Sequence, residues 1–334
     1  MRVPNWPVFL IAMLAIALLP LIFRNGYALH IMILALIYAV FAQAWNLVTG
    51  FGGMKTFGHH VFFGMGAYGS ALLSMHAGLS PWITIWIAAL LTSVAGVLIA
   101  LPVLRIRSVP HIAIITLAFA EIVRIIVSNL RGITRGELGL IGIPGFDPLN
   151  LPGIGLVRFT PAYKLGYFYL AWLVFAVVTA GILAARNSAH GMRVIAMRDG
   201  QDAAESLGVN IAAYKIALFF ISAFIVGLIG AFYAHYIIVL TPSSVLGVDI
   251  MVLVIAMALV GGIGTVTGPI LGAALLVISV ELMRDLGQYR MLVYGGLIVL
   301  SVLYFPNGLA SLADRVRQWR RAPNPILQEQ DNRS

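Results

Sequence analysis

The sequence predicts an all-α integral membrane protein, about ten transmembrane helices folded as a single bundle, on three observations. Of 334 residues, 61% are hydrophobic and 10% charged, with a mean hydropathy of +0.98. A water-soluble domain carries about 25% charged residues, so that class is excluded. Apolar runs of roughly 20 residues, the length that crosses a hydrocarbon core, recur along the whole chain. No stretch between them is long enough to fold as a sizeable soluble domain.

The runs lie near 7–23, 28–49, 60–77, 81–104, 110–129, 165–185, 213–237, 248–263, 268–284 and 290–306. The first contains Ala15-Ile16-Ala17, which looks like a signal-peptidase site, but the run continues through Leu18–Phe23 without a polar break and reads as a retained span. The second carries Gln43, Asn46 and Thr49, neutral polar groups suited to hydrogen bonds between helices; Asn46 also stands as a pathway candidate. In the third, Gly64, Gly66 and Gly69 make a small-residue face for close helix contact. The fifth holds Glu121 and Arg124. Between the fifth and sixth, 130–164 is a Gly- and Pro-rich loop too polar to span. Eighth and ninth flank Gly261–Pro269, a break whose irregular backbone must line a cavity or an interface. This gives one transmembrane domain over 1–321 and a disordered tail over 322–334, where Pro323 and Pro325 stand among polar residues. Gly52-Gly53-Met54-Lys55-Thr56 and Gly261-Gly262-Ile263-Gly264-Thr265 share a GGxxT pattern, a weak internal similarity.

The net charge of +9 is placed by topology rather than by nucleic acid. With the N-terminus inside and ten spans alternating, thirteen Lys and Arg fall on the cytoplasmic side and seven outside, with Arg124 inside a span. Both termini and the segment 186–213 are then cytoplasmic, and 130–164 faces out.

Catalytic machinery is absent from the sequence. There is no cysteine, no HExxH or GxSxG, no metal-ligand spacing and no GxxxxGK[ST] phosphate loop. Neighbours His59 and His60 point about 100° apart on a helix and read as a loop-end pair near the headgroups. Glu121 and Arg124, spaced i, i+3, share a helix face and can pair. Charges at mid-bilayer cost roughly 3 kcal/mol on insertion scales, so the pair should face the bundle interior or water, as a substrate or proton path or as an interhelical clamp. The charged segment Gly191–Asn210 interrupts the apolar chain. Within it Asp199–Gly208 can form a short helix, with acids near its start, small Ala203 and Ala204, and Gly208 at its C-terminus. Such a segment presents a polar surface to a soluble partner.

The run Asp202-Ala203-Ala204-Glu205-Ser206-Leu207-Gly208 resembles the EAA-xxx-G loop of ABC importer permeases, with Asp in place of the first Glu. More of the chain, over about 40–310, is similar to the M-type subunit of branched-chain amino-acid ABC permeases. The matching segments include Asn46–Gly53, Gly58-His59, Phe62–Tyr68, Thr116–Arg124, Gly136–Gly139, Ala196–Asp199, Tyr214-Lys215, Gly261–Gly264 with Gly268-Pro269, and Pro306–Leu309. Arg135 stands where relatives have Gly, and Met54 and Lys55 also depart from the pattern.

The resemblance implies one of two membrane subunits of an ATP-driven importer in the cytoplasmic membrane. It implies a second permease of the H type, two ABC ATPase subunits that use ATP and Mg, and an external solute-binding protein, with no cofactor in this chain. Arg198, Asp199, Asp202, Ala203, Ala204, Glu205 and Gly208 would form the coupling loop that docks into the ATPase. Branched-chain amino acids are the first expected substrate; urea and short-chain amides are the alternative, since their permeases share much of the pattern. A stand-alone carrier using Glu121 as a proton site is the rival from another class.

Overall fold

A computed structural model describes residues 6–283, except 24, 107, 152–154 and 161–162, and the isolated positions 295, 296, 299, 303, 308 and 309. The predicted tenth span, apart from those positions, and the tail at 322–334 lie outside the described residues. In a bilayer each backbone N–H and C=O must find its partner within the protein, and helices do so segment by segment. The chain opens with α1 (Trp6–Ile22) and α2 (Gly26–Asn46), whose end widens into a π-helical turn over Leu47–Phe51. Then come α3 (His59–Ala77), α4 (Pro81–Leu104), α5 (Val109–Asn129) and the short α6 (Arg131–Thr134). The polar connection holds β1 (Leu140–Ile141), β2 (Leu149–Leu151) and β3 (Gly155–Val157). It leads into α7 (Leu165–Arg186), α8 (Ala189–Asp199), α9 (Gln201–Ser206) and α10 (Ile211–Ile237). Last come β4 (Val239–Leu240), α11 (Pro242–Leu246), α12 (Val248–Gly261) and α13 (Gly268–Leu282).

Each of the first nine predicted spans coincides with a helix. Among the described residues, six are long and apolar enough to cross a membrane; α1 and α13 are shorter apolar helices, and α3 falls short on apolarity. Six rather than ten is therefore the number that the described residues establish. The eighth span, α12, is preceded by a feature the periodicity did not show: α11, a separate turn from Pro242 whose N-terminus Thr241 and Ser244 close with a capping box, joined to α12 at Gly247.

Helix α10 is the hub, packed on α4, α3 and α2. The approach to α3 is backbone on backbone. A Cβ on Gly66 would stand 2.1 Å from the Gly227 carbonyl oxygen, so only glycine permits this crossing. On the other side, α13 packs on α12 and α2, α7 on α2, and α1 lies outermost against α7. Hydrogen bonds satisfy many of the polar groups this buries. Gln43 of α2 and Thr179 of α7 exchange bonds of 3.1 Å, the interhelical role expected of Gln43. By contrast α5 buries little beyond Ile112, Thr116 and Ala120, an i, i+4, i+8 stripe, and it packs on α3, on α11 and on the turn at Gly136–Leu138.

At one end the polar connection closes over the bundle. Strand β1 pairs antiparallel with β4, Leu140 opposite Leu240, and β2 pairs with β3. Asp147 accepts from the Ser80 hydroxyl, and its backbone carbonyl from the Trp82 indole at 3.1 Å. In this connection Arg135 sits at φ 60°, the left-handed region that a glycine adopts freely.

Candidate functional site

The opposite end carries the charged segment, folded as two helices rather than one. Ser188 caps α8 by accepting from the Gly191 N–H at 3.2 Å. The chain turns extended at Gly200 and restarts as α9, so Asp199 closes α8 and does not belong to the short helix. Gly208, at φ 82°, ends α9: the Val209 N–H reaches the Ala204 carbonyl at 3.0 Å and the Gly208 N–H reaches Glu205 at 2.9 Å. This paired arrangement is a Schellman cap, and the left-handed residue it needs is supplied by Gly208. Two residues later the Asn210 side chain accepts from the Ala213 N–H and starts α10. Charged surface and hub helix are therefore joined by a linker of four residues.

Most of the expected coupling residues come together here, facing different ways. Ala204 is buried, whereas Asp202, Ala203, Glu205 and Gly208 are exposed and Leu207 is 83% exposed. The Arg198 guanidinium turns toward the bundle, bonding Asp199 at 2.9 Å and the Gly50 carbonyl at 3.3 Å. Its side chain packs on Gly53, where a Cβ would stand 2.9 Å from Arg198 Cγ. Beneath α8, Val194 and Ile195 border an apolar groove of about 560 Å³ with Arg186 and His190 on its lining. Asn46 lies close by and is 1% exposed. Its amide donates to the Thr265 carbonyl and accepts from the Gly264 N–H, both at 2.8 Å. Both partners lie in the loop between α12 and α13, so these bonds tie the end of α2 to that loop rather than to a neighbouring helix. The two GGxxT loops thus meet at one place, around Asn46 and Arg198.

The second candidate group lies within the apolar layer. Arg124 and Glu121 pair at 2.8 Å, with side chains 36% and 33% exposed. The pair lies between the buried stripe of α5 and its exposed flank, with about two-thirds of each side chain covered. The two histidines do not sit where expected. Both are fully buried in the first turn of α3 rather than exposed at a headgroup surface. His59 bonds the Thr56 hydroxyl at 2.8 Å and the Ser222 hydroxyl at 2.9 Å, and Ser222 donates on to the Ala44 carbonyl. Neither ring nitrogen of His60 meets hydrogen-bond geometry with a partner.

Sequence reasoning missed three residues at these places: His60 as an orphaned polar group, Leu207 as an apolar side chain 83% exposed in the loop, and Asp249 in the first turn of α12. A signal for Asp249 was present, since it is the one acid between Glu205 and Glu281.

A model of the family described as branched-chain amino acid transport system, permease component, matches residues 27–302. The high-affinity branched-chain amino acid transport system permease protein LivM of Salmonella typhimurium is 34% identical over 320 residues, covering 90% of this chain and 74% of that protein. LivM of Escherichia coli agrees to the same extent. The autoinducer 2 import system permease protein LsrC of Yersinia enterocolitica is 28% identical over 160 residues, 46% of this chain and 44% of that one. No solved structure matches. The family match takes in α2 through α13, both GGxxT loops, the α8–α9 surface and the charged pair, and the chain belongs to the family of branched-chain amino acid transport permease components.

Proposed function

We propose that this chain is a permease subunit of an ATP-driven importer for branched-chain amino acids and that the exposed side of α9 is its contact with the ATPase. The observation that carries the reading is the division of the segment into a latched part and a presented part. Arg198 and α8 hold to the π turn, while Asp202, Ala203, Glu205 and Leu207 project from a capped helix. Small and acidic residues around one exposed leucine suit a groove on a soluble partner: the leucine supplies apolar burial and the acids supply charge complementarity. The chain has no phosphate loop of its own, so ATP and Mg are assigned to that partner.

The reading includes an H-type second permease, two ATPase subunits and an external binding protein. It places ten spans in the cytoplasmic membrane, the segment 290–306 among them, with both termini inside. The relatives named LivM support the substrate, and membership in a family of system components favours a partnered subunit over a stand-alone carrier. The test is the ATPase activity of the full complex in proteoliposomes. Leucine-loaded binding protein is expected to stimulate it several-fold, a shift of about 1 kcal/mol in the barrier. Stimulation by urea-loaded protein alone would move the assignment to the amide branch.

A further inference from the structure

Helices α7 and α10 both pack on α2 but touch each other little, and the groove of about 560 Å³ runs between them. Trp86 of α4, Val177 and Gly181 of α7 and Ile221 of α10 line it and are exposed, so it opens on the outer surface of the subunit. Along α7 the groove runs from Val177 to Arg186, about 14 Å at 1.5 Å of rise per residue. Along α10 it runs from Tyr214 to Leu228, about 21 Å. The hydrocarbon of one bilayer leaflet is about 15 Å deep. The groove is therefore roughly one leaflet long.

Its two ends differ in chemistry. Arg186, His190 and Tyr214 line it where α7 stops and α10 starts; the rest of the lining is aliphatic, aromatic or glycine, and no acid belongs to it. The Tyr214 hydroxyl lies 3.0 Å from His190 Nδ1 and accepts from the Arg193 guanidinium at 3.2 Å, which brings a second arginine to the rim. Arg186 and Arg193 are both exposed. The Arg186 guanidinium lies over the Phe51 ring, 5.9 Å from its centroid, and a guanidinium held by its face keeps its in-plane N–H donors for an oxyanion. Basic pockets between membrane helices at the bilayer surface recognise anionic lipid headgroups. Halfway along the α7 wall, a Cβ built on Gly181 would meet nothing within 4 Å, so the groove is open there.

We propose that this groove is a binding site for an anionic phospholipid from the leaflet on the α8–α9 side. One acyl chain lies along the apolar walls of α7 and α10, and the phosphate accepts from the Arg186 and Arg193 guanidinium groups. Tyr214 and His190 hold Arg193 to the rim. The lipid joins the end of α7, α8 and the start of α10 through a single ligand, next to the helix that presents Asp202 and Leu207.

The test adds phosphatidylglycerol with a photoreactive group midway along one acyl chain to the full complex in phosphatidylcholine vesicles. Labelled peptides are then identified by mass. Label is expected on the α7 and α10 walls, about tenfold above that from phosphatidylcholine carrying the same group. The double variant Arg186→Gln with Arg193→Gln should bring the two lipids level. Gly181→Phe, which fills the groove and keeps both arginines, should remove label from the groove and leave it elsewhere on the complex. Equal labelling of the wild-type groove by both lipids overturns the proposal, as does a groove without label because the second permease covers it. A preference that survives in the double variant, or groove label that survives in Gly181→Phe, overturns it too. Should a variant fail to assemble, the comparison of the two lipids on the wild-type complex decides alone.

Discussion

Arg135 shows how one residue can oppose its own backbone. At φ 60° an L side chain crowds the following carbonyl, which costs roughly 1–2 kcal/mol relative to an unstrained conformation. Arg135→Gly is expected to raise thermal stability in detergent by about 1 kcal/mol, visible as a higher midpoint in a melting curve. A lower midpoint would mean that the arginine makes contacts worth more than the strain. The glycine usual in relatives marked this position in the sequence; the dihedral supplies its reason. Asn46 and the histidines were less legible. Sequence identified Asn46 as a hydrogen-bonding group in an apolar run, but its partners, Gly264 and Thr265, lie more than two hundred residues away. Adjacent His59 and His60 look alike in sequence, yet one is fully bonded and the other orphaned, because Ser222 lies beside only one of them.

At the scale of elements, hydropathy located the helices well because lipid rewards long apolar segments whatever their partners. It read poorly where a helix is interrupted. The π turn at Leu47–Phe51, the division at Gly247 and the separation of α8 from α9 at Gly200 depend on capping and on contacts from other elements. The cap at Gly208 matters most for the presented surface. Gly208→Val should fray α9, since a β-branched residue resists φ 82°. Asp202→Lys should leave the helix folded and reverse its charge. Both are expected to weaken ATPase association at least tenfold in a pull-down from detergent, and hydrogen exchange at 204–209 should rise only in Gly208→Val. Retention of the ATPase by Asp202→Lys would place the contact elsewhere.

For the whole molecule, the two ends are chemically distinct: one is closed by paired strands and a carboxylate at Asp147, the other carries Arg198, α8 and α9. Their orientation is open to a direct measurement. Ile263→Cys should react with an impermeant thiol reagent only in inside-out vesicles, and Ile141→Cys only in right-side-out ones; both positions are exposed and the background holds no other thiol in this chain. The reverse pattern would turn the topology over and remove α9 from the ATPase side. Gly66 and Gly227 carry a further consequence. Where main chain rests directly on main chain, no side chain is available to change rotamer and absorb a displacement. The α3–α10 crossing is therefore built as a gear tooth rather than a cushion: a displacement of α10 would be handed on to α3 rather than absorbed between them.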